Sequence, residues 1–228
     1  MQVRLISYPS MDADTLAGMA AALCYDGTNP ERSLNTALSG GHQSVIEHAN
    51  FTFVIEGVSR ALLAQLTRHR VASFSVQSQR YVSMKDKFTY VVPPRIAALG
   101  KLYESEFHKQ MAQMHEWYCF WQDTLKDAGH SKEHSNEDAR FVLPNAACTR
   151  LMMTMNAREL NHFFGLRLCN AAQWEIREMA GLMLDEVKVV APKLFEKAAP
   201  PCAYGSCPEG KRSCGKPWRK NNENPCGV

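Results

Sequence analysis

The chain has 228 residues, 45% of them hydrophobic and 21% charged, which suffices for one well-buried domain or for a domain with an appendage. A net charge of +3 excludes generic electrostatic attraction to nucleic acid or to a membrane. No apolar run approaches the roughly 20 residues of a membrane helix, and the opening MQVRLISYPS has neither region of a signal peptide, so a cytoplasmic protein is expected.

In chain order, Val3 to Ser7 reads as a first strand. Asp12 or Asp14 can cap a helix running to about Cys24, and a second short helix follows Pro30. FTFVIE, Phe51 to Glu56, is rich in β-formers and predicts a strand. Ser59 then precedes ALLAQLTRHR, where Leu62, Leu63 and Leu66 form an apolar helical stripe. Gln79 to Ser83 and Phe88 to Val92 read as further strands, stopped by Pro93-Pro94. Tyr103, Phe107, Met111, Met114, Tyr118, Trp121 and Leu125 recur at helical spacing along one long helix that Gly129 ends, a stripe suited to a core or a subunit contact. A helical turn around Asn136 to Arg140 stops before Pro144, and two more helices are expected at Asn156 to Leu168 and Ala172 to Val190. After Pro192 the composition shifts to Pro, Gly, Cys and Lys, which marks residues 200–228 as an extension to a main domain of residues 1–199.

Cys24, Cys119, Cys148 and Cys169 are scattered through predicted core segments, where a free Cys acts as a small hydrophobe. Cys202, Cys207, Cys214 and Cys226 crowd into the tail, but CAYGSCPEGKRSCG lacks the C-x2-C knuckle of zinc sites, and disulfides or free thiols fit it equally. His42, Glu47 and His48 are a ligand-like set, yet His42 and Glu47 are five apart, off the i, i+4 register of zinc-binding helices, so no metal is expected.

Two stretches carry chemistry. RHRVASFSVQSQRY, Arg68 to Tyr81, lies in a gap without carboxylates between Glu56 and Asp86 that also holds Arg60 and Lys85. Arg68-His69-Arg70 would end a helix, where cations favour the dipole by ~0.3–1 kcal/mol each. The hydroxyls and amides of Ser73, Ser75, Gln77, Ser78 and Gln79, with Arg80 behind them, point instead to an anionic small molecule with a planar amide-like ring. In NARELNHFFGLRL, at about 100° per residue, Arg167 shares the apolar sector of Leu160, Phe163 and Phe164, whereas Arg158 and His162 lie opposite. A guanidinium among apolar side chains needs a partner: a distant carboxylate or a ligand. The loops GxGxxG, GxxxxGK[ST] and GxSxG are absent.

RHRVASFSVQSQRY resembles the signature of the flavin-dependent thymidylate synthases, Arg-His-Arg followed by seven or eight residues and then Ser; here seven separate Arg70 from Ser78. HQSVIEHANFTF, ARFVLP and NARELNHFFGLRLCNAAQWEI are similar to three further segments of that family, in the same order. The resemblance implies an α/β (α+β) fold of the thymidylate synthase-complementing type, with helices packed on a small, mainly antiparallel sheet. It implies a homotetramer with active sites at subunit interfaces. The reaction implied is methylation of dUMP to dTMP, with carbon from methylenetetrahydrofolate and reducing equivalents from NADPH through FAD. Carried over by position, Ser44, Arg68, His69, Arg70, Asn156, Arg158 and His162 would contact FAD. Gln65, Arg68, Ser78, Gln79, Arg80, Arg140 and Arg167 would hold dUMP, with Arg167 polarising the uracil as the catalytic residue. Cys24 stands where the family often has Ser or Thr, Val76 where it often has Glu, and His162 where some members have Asn. A flavoprotein oxidase or reductase without methyl transfer, or a nucleotide-binding protein without catalysis, would use the same residues.

Overall fold

The structure, a computed structural model, describes residues 1–218. In chain order the elements are β1 (Gln2–Ser7), α1 (Ala13–Cys24), α2 (Pro30–Ser39), a 3-10 helix (Gln43–His48), β2 (Asn50–Ser59), α3 (Arg60–Leu66) and β3 (Ser73–Val76). There follow α4 (Pro94–Ala97), α5 (Lys101–Asp127), α6 (Lys132–Ala139), a 3-10 turn (Arg140–Val142), β4 (Cys148–Asn156), α7 (Ala157–Arg167) and α8 (Trp174–Val190). Short 3-10 turns at Pro201–Ala203 and Gly210–Arg212 lie in the tail. Among the described residues the fold is α/β, with one four-stranded sheet in the order β1-β2-β4-β3. β2 and β4 run antiparallel: Ala157 N donates to Ala49 O at 2.8 Å, and the Thr52 and Thr154 hydroxyls meet at 2.9 Å.

Local chemistry sets the element starts. The Asp12 carboxylate accepts from Thr15 N at the head of α1, and the Asn29 amide oxygen accepts from Arg32 N at the head of α2, where Pro30 lacks only an N–H that the first turn cannot use. A Cβ on Gly18 would sit 2.6 Å from the Pro30 carbonyl oxygen, so this glycine lets the start of α2 approach α1. α5 ends where Gly129, at φ 89, returns the chain and His130 N donates to Leu125 O.

The chain divides into two compact units, one of residues 1–55, 65–74 and from 152 onward, the other of residues 56–64 and 75–151. In the first, Phe51, Phe53 and Ile55 alternate inward along β2, and Phe51, Phe164 and Phe195 meet edge to face at 5.3 and 5.9 Å. Burial of each such ring contributes roughly 1.5–3 kcal/mol. α8 lies against β1 and buries Ile176, Met179, Met183 and Val187. In the second unit, Tyr118 of α5 packs with Met84 and Ala139, flanked by Phe88, Val142 and Leu143.

Several expectations need correction. Gln79 to Ser83 is turn rather than strand, and the strand of this region is Ser73–Val76. Phe88 to Val92 contributes only a bridge, Tyr90 to Ala147. The helix after Ser59 stops at Leu66, so Arg68, His69 and Arg70 follow it instead of ending it. β4 was not expected at all. Of the α5 stripe only Met111 and Tyr118 are fully buried, while Tyr103 and Trp121 are exposed. The tail is described to residue 218; Cys226 lies outside the described residues, and Cys202, Cys207 and Cys214 are free thiols.

Candidate active site

The turn after α3 sorts the Arg-His-Arg motif by direction: Arg68 and Arg70 are exposed, while His69 is 6% exposed. The His69 ring packs edge-on to Phe163 at 5.0 Å, and both its nitrogens are engaged. Nδ1 lies 3.2 Å from Oε1 of Glu159, and Nε2 accepts from Nε of Arg167 at 3.1 Å. Glu159, Phe163 and Arg167 recur every four residues along α7, so one stripe of that helix supplies all three contacts. Asn156 anchors the stripe: as N-cap its side chain accepts from Glu159 N at 2.9 Å, and the helix N-terminus favours the carboxylate there.

An arginine only donates, so Nε2 of His69 carries a lone pair and Nδ1 carries the proton given to Glu159. The ring is neutral in this arrangement. Burial pushes its pKa below the ordinary histidine value; the Glu159 carboxylate opposes that shift, whereas Arg167 and His162 add to it. Burial, with Arg68 nearby, also lowers the pKa of Arg167. The guanidinium on the apolar face of α7 therefore has a protein partner in the signature motif itself, which the spacing of α7 alone could not reveal.

The other residues matched to FAD lie in the same unit. Asn156, Arg158 and His162 line a cavity of about 420 Å³ together with Gln43, Glu47, Val71 and Glu159. Ser44 is exposed on the 3-10 helix that supplies Gln43 and Glu47. Arg158 pairs with Glu47 at 2.5 Å, with both side chains about half exposed. His42, Glu47 and His48 do not converge on a common point. Among the described residues, the side chains with ligand atoms within 4.8 Å of one another are His69, Glu159 and His162, but both nitrogens of His69 are already used. The donor set suits FAD: Arg68 and Arg70 have no carboxylate partner among the described residues, as a pyrophosphate site requires, and Asn156 and His162 offer polar edges for rings.

The residues matched to dUMP divide between the units: Gln65, Arg68 and Arg167 in the first, Ser78, Gln79, Arg80 and Arg140 in the second. Arg80 does find acids, though not nearby in sequence. Its Nη2 donates to Glu133 at 2.7 Å and its Nε lies 3.1 Å from Glu137, one turn further along α6. The Ser78 hydroxyl accepts from Arg80 N at 3.2 Å, and Nε of Arg140 donates to the Glu137 carbonyl at 3.1 Å. Desolvation of Arg60 and its nearness to Arg140 lower the Arg60 pKa.

Side chains to which the sequence assigned no role at the site hold this loop. Asn136 donates to the Arg80 carbonyl at 2.8 Å, and the Tyr118 hydroxyl accepts from Met84 N at 3.1 Å. Gln122 donates to the Ser83 hydroxyl at 2.8 Å and also to Asn136. Tyr118, Gln122 and Asn136 are all fully buried. A buried Gln four residues after the stripe's Tyr118 was the available signal, as was the i, i+4 pair Glu133 and Glu137, which wants a cation.

Comparison with known proteins identifies the family. A model of the family described as thymidylate synthase complementing protein matches residues 4–193. A protein of Geobacter sulfurreducens named flavin-dependent thymidylate synthase is 46% identical over 229 residues, covering 95% of this chain and 94% of that protein. Proteins of the same name from Clostridium tetani and Nitratidesulfovibrio vulgaris are 42% and 49% identical, covering 95% and 78% of this chain and 94% and 73% of their own lengths. The chain belongs to the thymidylate synthase complementing protein family.

Proposed function

We propose that this protein methylates dUMP to dTMP, with methylenetetrahydrofolate as carbon donor and NADPH, through FAD, as reductant. The observation that carries this reading is the hydrogen bond from Arg167 to His69, which joins the residue matched to the pyrimidine to the motif matched to the flavin. The balance is simple: C5 of dUMP receives the folate methylene with both its hydrogens and one hydride and loses its own hydrogen as a proton, while two protons restore the N–H bonds of tetrahydrofolate and NADPH leaves as NADP⁺. The bound flavin supplies the hydride. Ser44, Arg68, His69, Arg70, Asn156, Arg158 and His162 would hold it, with the exposed guanidinium groups of Arg68 and Arg70 suited to its phosphates.

Gln65, Arg68, Ser78, Gln79, Arg80, Arg140 and Arg167 hold dUMP. Arg80 is paired with both Glu133 and Glu137, which fix the position of its guanidinium beside Ser78 and Gln79. Arg167 has its Nε committed to His69 and keeps its Nη groups for a uracil oxygen, where they stabilise charge that develops on the ring. Ser78 binds rather than attacks, because a Ser nucleophile needs a positioned base and its hydroxyl instead receives Arg80 N. Burial raises the Cys119 thiol pKa, away from the thiolate a covalent route would use.

No helix among the described residues is long and apolar enough to cross a membrane, and we place the enzyme in the cytoplasm. We take it to work as a homotetramer with active sites at subunit interfaces, supported by Leu102, Trp117, Phe120 and Trp121, exposed on α5 for a second copy to cover. Residues 1–199 form the catalytic domain and 200–228 its extension. The test is substitution of the central residue. Arg167→Ala should bind flavin and lose dUMP turnover; near-normal dUMP affinity and turnover in this variant would reject the reading.

A further inference from the structure

Glu159 has no part in the binding roles just assigned, yet one imidazole separates it from the guanidinium that faces the substrate. Its side chain is 12% exposed, fixed in the first turn of α7 by the Asn156 cap, and its Oε1 lies 3.2 Å from Nδ1 of His69. Arg167 holds the opposite ring nitrogen at 3.1 Å. A neutral imidazole has one N–H and one lone pair, and which nitrogen carries which is set by its partners. A carboxylate at Nδ1 selects the tautomer with its proton there. That tautomer is the one that leaves Nε2 free to accept from Arg167.

We propose that Glu159 is a positioning residue: by fixing the tautomer and orientation of His69, it sets the plane of the Arg167 guanidinium and directs the Nη groups to the pyrimidine. This rests on the reading that Arg167 faces dUMP. With Nε held, only the two Nη groups remain for a ligand, so the plane has a single useful orientation. Without Glu159 only Arg167 favours this tautomer, Nδ1–H loses its acceptor, and the ring and the guanidinium it receives are no longer held in one plane. Protonation of His69 sets Nε2–H against Nε–H of Arg167. The charged and titratable groups around the ring are Glu159, which favours protonation, and Arg167 and His162, which oppose it, with Arg68 beyond Arg167.

The experiment compares Glu159→Ala, Glu159→Gln and Arg167→Ala in the flavin-loaded protein. Flavin content and kcat and KM for dUMP are measured across pH. The ¹⁵N shifts of the His69 ring are read in the flavin-free protein, with assignment from their loss in His69→Gln. Glu159→Ala should keep flavin and lose kcat by roughly tenfold to a hundredfold, the scale of a misplaced catalytic group. Glu159→Gln, whose amide oxygen still accepts from Nδ1–H, should recover most of that loss. Its acid limb should move to lower pH, because the negative charge that favours the imidazolium is gone. The wild-type ring should carry its proton on Nδ1.

A proton on Nε2 in the wild type, full kcat in Glu159→Ala, or an unmoved acid limb in Glu159→Gln overturns the proposal. If Glu159→Ala does not fold, the Glu159→Gln pH profile and the ¹⁵N tautomer still decide it. Unchanged turnover in Arg167→Ala, by contrast, defeats the role given to Arg167, while the ¹⁵N tautomer continues to test the link between Glu159 and His69.

Discussion

Replacing Asn136 by alanine tests how the loop from Ser78 to Met84 is held. The side chain is fully buried and works in both directions: its amide N–H donates to the Arg80 carbonyl at 2.8 Å, and its oxygen accepts from Tyr118 and Gln122. Gln122 keeps the Ser83 and Tyr118 hydroxyls as acceptors when Asn136 is removed. The Arg80 carbonyl and the Tyr118 O–H lose the partners just named. Leaving a buried polar group unsatisfied costs roughly 1–3 kcal/mol, so two cost about 2–6 kcal/mol. At about 2–4 °C per kcal/mol for a chain of this size, Tm should fall by at least about 4 °C. Affinity for dUMP should fall about tenfold, equivalent to ~1.4 kcal/mol, because the loop that bears Ser78 and Arg80 is no longer ordered in advance. Ser83→Ala is the control, since it removes only one of the acceptors of Gln122 and should cost less. Thermal unfolding and dUMP titration of the two variants are the assays. An Asn136→Ala protein with unchanged Tm and unchanged dUMP affinity would refute the reasoning.

Arg70→Ala removes an exposed cation, so stability should change by no more than about 0.5 kcal/mol while flavin retention on a desalting column falls clearly. Retained flavin with a lower Tm would reverse that assignment. His69 has a folded-state pKa below the ordinary value of 6.5, so the unfolded chain binds its proton first. Its contribution is therefore full above about pH 6.5 and is lost as pH falls through the depressed folded value. Urea titrations should show this acid loss reduced in His69→Gln, and an identical pH profile in the variant would contradict it. Truncation after Ala199 removes the contact of Asn170 with the Lys216 carbonyl but none of the residues matched to ligands, so dTMP formation should remain measurable. Complete loss of activity in a folded truncated protein would place the tail in the active site.

Where local chemistry decides, the sequence was legible. Asp12, Pro30, Ser59 and Gly129 start or end elements where their types predict, and the alternation of Phe51, Phe53 and Ile55 marks β2 directly. β4 escaped because its inward residues are Leu151, Met153 and Met155, side chains with weak strand preference, although they alternate as a strand requires. The turn at Gln79 to Ser83 was mistaken for a strand because its satisfaction is tertiary: the Arg80 carbonyl and Met84 N–H meet the side chains of Asn136 and Tyr118, not a neighbouring strand. The site shows the same division. The signature and the order of its accompanying segments could be read directly. The carboxylates on Arg80 lie more than fifty residues away, and the link from Glu159 through His69 to Arg167 spans 90 and 98 positions, separations over which no periodicity speaks.

The measurement that tests the central claim most directly is mass analysis of the nucleotide formed from dUMP, FAD, NADPH and methylenetetrahydrofolate deuterated at its methylene carbon. The account predicts dTMP with both deuterium atoms in its new methyl group, formed by the wild-type protein and not by Arg167→Ala. Oxidation of NADPH with no labelled dTMP, or labelled dTMP formed equally well by Arg167→Ala, would contradict it.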